Sequence, residues 1–122
     1  MVAFTIAAPA AVFAAPVQCE CIRALREIRG INIRGNANTI PVTNPLNEAT
    51  EGDVLLFDVG RLDHGAEIIG FKGEVHNGTH IAPEFIIVWE ANWKRCQTGI
   101  RLVRFDDPKL KGVYRSYTQH VI

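Results

Sequence analysis

The feature that most constrains this chain is a single helical stretch followed only by strand-like runs. The helix signal extends from about Cys19 to Ile28. Ala24, Leu25 and Ile28 recur at helical spacing, whereas Glu20, Arg23, Arg26 and Glu27 fall elsewhere. Gly30 follows, where glycine commonly ends a helix. The strand-like runs are Val54–Phe57 behind the Glu51-Gly52-Asp53 turn, Ala66–Ile69 behind a polar connection from Arg61 to His64, and Phe85–Trp89 behind Pro83. Two more, Ile100–Phe105 and Val113–Tyr117, flank the Asp106-Asp107-Pro108 turn. One helix and then strands at hairpin spacing predicts an α+β domain, with the helix packed on an antiparallel sheet of five to six strands.

The 122 residues suffice for one domain, placed at residues 18–122. Residues 1–17 form an apolar, alanine-rich arm without Lys or Arg, so the charged start of a secretory signal is missing, and the arm is short for a membrane span. Ala8-Pro9-Ala10 is compatible with signal cleavage, so a signal segment and an arm packed on the domain both stay open. Thirteen basic and thirteen acidic side chains cancel. That balance argues against nucleic-acid binding, which needs a basic excess to neutralise phosphates. Asn32–Asn47 has no period and is rich in Asn, Thr, Pro and Gly; a loop of this length in a compact domain is expected to be functional.

Cysteine carries the chemistry. The three cysteines are an odd number, so at least one thiol is free, reactive or paired between molecules. A Cys19–Cys96 bridge is compatible with the sequence, and no Cys-x-x-Cys metal pattern is present. His76 and His80 are four apart, but on turn chemistry that does not make a helical metal pair. No cofactor or metal is expected.

A cysteine becomes a nucleophile as the thiolate, which a helix start and a neighbouring imidazole both favour. Cys19 and Cys21 both lie at the start of the predicted helix. The residues three, four and seven after Cys21 are Ala24, Leu25 and Ile28, which places Cys21 on the core-facing side. After Cys19 they are Ile22, Arg23 and Arg26. The pattern favours Cys21, with Cys19 as the alternative nucleophile. His64 sits where a loop feeds a strand and is the candidate general base. Glu90 and Asn92 follow an apolar strand on one face, and either can orient the imidazole. Trp93 is a candidate for lining a substrate groove.

Four segments in this order resemble the CHAP domains (cysteine- and histidine-dependent amidohydrolase/peptidase) of the papain-like and NlpC-type peptidases. Cys21-Ile22-Arg23-Ala24-Leu25-Arg26 resembles their nucleophile helix. Glu51-Gly52-Asp53-Val54-Leu55-Leu56-Phe57 resembles their glycine-aspartate strand. His64-Gly65-Ala66-Glu67-Ile68 and Glu90-Ala91-Asn92 resemble their histidine strand and Glu-x-Asn element. The similarity spans about Cys19 to Tyr114. The chain departs from the pattern at Asp63 and Gly65, which flank the histidine, at Ala24, where an aromatic is common, and at Gln18, which adjoins Cys19 rather than Cys21.

The resemblance implies a papain-like fold and a hydrolase that cleaves amide bonds in bacterial peptidoglycan, at a stem or cross-bridge peptide. Cys21, His64 and Glu90 or Asn92 would be catalytic, with Gln18 at the oxyanion. It implies action on the cell wall outside the cytoplasm, by a secreted or virion-associated protein, within a larger phage or wall assembly. The changes around His64 motivate a competing expectation, a catalytically inactive papain-like module with a binding or structural role.

Overall fold

The computed structural model describes residues 16–60, 63–92 and 95–116. Its one α-helix among these residues, α1 (Cys21–Glu27), is preceded by a 3-10 turn at Val17–Cys19. Seven strands follow: β1 (Val54–Phe57), β2 (His64–Lys72), β3 (Val75–Asn77), β4 (His80–Ala82), β5 (Phe85–Asn92), β6 (Gln97–Arg104) and β7 (Leu110–Tyr114). Five of them form one antiparallel sheet in the order β6-β5-β2-β1-β7, and β3 pairs with β4 as a separate hairpin between β2 and β5. The chain is thus α+β, mostly antiparallel sheet with one short helix. No helix among the described residues is long and apolar enough to cross a membrane.

Strand β1, inside the sheet, is buried on both faces. Val54 and Leu56 look toward the helix and pack with Ile22 and Leu25 of α1. Leu55 and Phe57 look the other way, into a second cluster with Ala66, Ile68, Ile86, Val88, Val103 and Val113. This is why Val54–Phe57 reads as a continuous apolar run instead of alternating. The helix-side core is completed by Ile31, Ile33, Ala37 and Ile40, which belong to the irregular segment after the helix.

The helix is shorter than its sequence signal. Ile28, expected on the core face, is the C-cap and is 48% exposed, because the chain turns away through Gly30 at φ +71°. Ile22 takes the buried position instead, at 2%. On the solvent side Arg23 bridges Glu20 and Glu27, an exposed network of small stabilising effect.

Asp53, the aspartate of the Gly52-Asp53 turn, is fully buried and receives both arms of Arg115, at 2.8 and 2.7 Å. Arg115 also donates to the Glu48 carbonyl. The pair ties the 41–50 segment to the sheet, and Thr43 and Asn44 of that segment bond Val113 along the outer edge of β7. Gly112 permits the approach: at φ +137°, a Cβ there would lie 2.7 Å from Val42 Cγ1 and 3.0 Å from the Asn44 carbonyl.

Candidate active site

β2 begins at His64, which pairs in register with Phe57, the last residue of β1. The two rings pack at a centroid distance of 5.4 Å. The next position, Gly65, faces the helix: a Cβ there would lie 2.9 Å from Ile22 Cδ1 and 3.3 Å from Val54 Cγ1. The missing side chain lets the start of α1 settle against β2. Cys21 opens that helix, partly buried, and is the free cysteine of the three. The His64 side chain and the backbone N–H groups of Gly65 and Ile22 are the groups that act on its thiol.

On the other side of the imidazole, His64 Nε2 lies 2.7 Å from Glu90 Oε1. With Nε2 occupied, Nδ1 is the ring nitrogen left to serve the thiol. Glu90 is gripped from β6: Arg101 donates from Nε to Oε2 at 2.6 Å and from Nη2 to Oε1 at 2.9 Å. Cys21, His64, Glu90 and Arg101 therefore form one continuous polar chain from helix to edge strand.

The electrostatics follow from these contacts. Burial pushes the Cys21 thiol up, but the hydrogen bonds from His64 and Gly65, the imidazolium charge and the Ile22 N–H outweigh it and hold the thiol below its ordinary value. Burial alone would depress His64; the bonds to Cys21 and Glu90 instead raise it to about 9. Burial would raise Glu90, yet its bonds to His64 and Arg101 bring it down to about 2. The arrangement places a thiol held below its ordinary value beside an imidazole held above its own, backed by an ionised carboxylate.

A cavity of about 400 Å³ opens beside Cys21. Glu20, Arg23 and Arg26 of the helix line one side, and Asn36, Asn38 and Asp63 the other. Asp63 joins this wall to the base, since its N–H donates to Asn38 Oδ1 at 2.7 Å and its carboxylate pairs with Lys111 at 2.8 Å. The residues flanking His64 that depart from the CHAP pattern thus have local reasons. Gly65 allows close packing, and Asp63 anchors the loop. The aperiodic segment after the helix supplies part of the cavity wall.

The remaining sequence candidates fall as follows. Cys19, the alternative nucleophile, is bonded to Cys96 and carries no free thiol. The helix-face pattern left it open because pairing across 77 residues leaves no local trace. Gln18 lies in the 3-10 turn before α1, partly buried. Asn92 ends β5, two residues beyond Glu90, and its side chain lies outside the described residues, as do Trp93 and all but the last two residues of the 1–17 arm. His76 and His80 lie exposed on the β3–β4 hairpin, His76 beside Glu74. Among the described residues no three His, Cys, Asp or Glu side chains are grouped to hold a metal ion.

Sequence reasoning missed Arg101 and Phe57. Phe57 reads as one more core residue of an apolar run. Arg101 is diagonal to Glu90 only once the β5–β6 register, Val88 opposite Arg101 and Glu90 opposite Gly99, is fixed. No family model, no curated protein and no solved structure matches this chain.

Proposed function

We propose that this chain is a papain-like cysteine hydrolase of the CHAP type that cleaves amide bonds in bacterial peptidoglycan, as an amidase or endopeptidase. The observation that carries the reading is the Cys21–His64–Glu90 array: a free, partly buried thiol whose electrostatics are set by an imidazole, Nε2 of which is 2.7 Å from a carboxylate. This is the arrangement that nucleophile, base and orienting group require. The wall substrate is supported by the four ordered segments that resemble CHAP domains.

In the proposed reaction the Cys21 thiolate attacks the amide carbonyl and a C–S bond forms. The carbonyl π electrons move to the oxygen, where the Gln18 amide and backbone N–H groups at the helix start stabilise them. The C–N bond then breaks, and the His64 imidazolium gives its proton to the departing amine. Water, deprotonated by the now neutral His64, attacks the thioester. The acid leaves and the thiolate–imidazolium pair is restored. Glu90 stays ionised throughout and keeps the ring in place. The Cys19–Cys96 bond suits a protein that works in an oxidising compartment, in keeping with action on the wall outside the cytoplasm.

The test is amine release from purified peptidoglycan of several wall chemistries, with the product ends identified by mass spectrometry. Release by the wild type and none by Cys21→Ser supports the reading. A folded wild type that is inert on every wall sinks it and leaves the binding or structural module.

A further inference from the structure

Glu90 has two carboxylate oxygens and several rotatable bonds, so a hydrogen bond from His64 alone would hold it only loosely. Arg101 occupies both oxygens in a forked geometry that leaves Oε1 on His64 Nε2. Arg101 in turn packs on an aromatic ring: its guanidinium carbon lies over Phe57, 5.5 Å from the ring centre, and Phe57 also packs on His64. His64, Glu90, Arg101 and Phe57 therefore close a ring of contacts, built from the ends of β1 and β2, from β5 and from β6.

We infer that Arg101 is a positioning residue for the hydrolase site proposed above, one that acts on Cys21 only through Glu90 and His64 by clamping the carboxylate that orients the imidazole. The inference rests on that reading. The competing account is an ordinary cross-strand ion pair, since the Arg101 side chain is 48% exposed. The two differ in coupling. A clamp on Glu90 has nothing to do once Glu90 is gone, whereas a pair that merely steadies the sheet changes stability without changing the thiol.

The experiment is a double-mutant cycle read on Cys21 alkylation by iodoacetamide at mildly acidic pH, under non-reducing conditions, with urea unfolding recorded for each variant. Arg101→Gln is expected to slow alkylation by about tenfold, within the range for directly coupled residues. In a Glu90→Gln background the same change should move the rate by less than about twofold. Arg101→Lys, which keeps the charge but not the fork, should recover only part of the loss. Arg101→Met, which keeps the apolar stem over Phe57, should behave as Arg101→Gln and covers the case in which Arg101→Gln folds poorly.

Equal factors in both backgrounds overturn the inference, as does a wild-type rate in folded Arg101→Gln and Arg101→Met. If the wild-type thiol itself shows no acceleration that His64→Ala removes, the hydrolase reading falls and this inference with it. If that acceleration is present and Arg101 is neutral, this inference alone falls.

Discussion

Replacing His64 by alanine should slow the reaction of the Cys21 thiol with electrophiles, by a factor that depends on pH in a prescribed way. The ordinary thiol value is 9.0. At about pH 6.5 a thiol with that value is only ~0.3% thiolate, so complete ionisation would multiply the nucleophile by at most ~300. A more stable thiolate is also a weaker nucleophile, with a slope of about 0.4–0.5, which removes about half of that logarithm and leaves a net advantage of roughly 20-fold. His64, raised to about 9, stays charged at this pH and sustains the pair. In His64→Ala the burial that raises the thiol remains while the largest opposing contact is lost. The assay is pseudo-first-order alkylation by iodoacetamide, followed by intact mass. Cys19 and Cys96 are bonded to each other and do not compete. The variant should be slower by up to about 20-fold at about pH 6.5, and the difference should close and then reverse as pH rises toward about 10, where both thiols ionise and the more basic thiolate is the stronger nucleophile. A folded His64→Ala protein that alkylates at the wild-type rate at about pH 6.5 would refute the coupling of thiol and imidazole.

Three further outcomes are expected. The Glu90 carboxyl is depressed from 4.5 to about 2 when folded, so its stabilising effect is complete above pH 4.5 and is lost as pH falls through about 2. Urea midpoints of Glu90→Gln should accordingly be flatter over that window, and a slope equal to the wild type would contradict the assignment. Arg115→Met leaves the fully buried Asp53 carboxylate without its forked partner. It should cost about 3 kcal/mol, read as a Tm lower by roughly 10 °C, and an unchanged melt would show that the pair is dispensable. Cys96→Ser, or reduction of the wild type, opens a loop spanning 77 residues. Either should lower unfolding free energy by about 2–4 kcal/mol, with dithiothreitol having no additional effect on the Cys19→Ser/Cys96→Ser double variant.

The parts of the fold legible in the sequence were those with a local cause. Val54–Phe57 shows as a strand because it is apolar on both faces, and the start of the helix shows through Ala24 and Leu25. The order of Cys21, His64 and Glu90 was legible as chemistry, since each residue type sits at a predicted element end. What stayed hidden depends on long-range pairing. Ile31, Ile33, Ala37 and Ile40 are core residues in a segment without period, so only the packing under α1 distinguishes them from a polar loop. Ile28 looked like core by spacing but lies past the point where the helix stops. Arg101 needs the β5–β6 register, and the Cys19–Cys96 bond needs the meeting of the 3-10 turn with the β5–β6 connection. Gly65 appeared as a departure from a motif and became intelligible once Ile22 and Val54 were seen against it.

The measurement that tests the central claim most directly is a titration of peptidoglycan amine release against alkylation of Cys21. Aliquots of the wild type would be modified to increasing extents by iodoacetamide, and the site and fraction modified would be read by peptide mapping. The account predicts that release falls in proportion to the unmodified Cys21 and reaches zero at one equivalent, with Cys19 and Cys96 still bonded. Release that persists when Cys21 is fully modified would contradict it, because the attacking thiolate would then be absent.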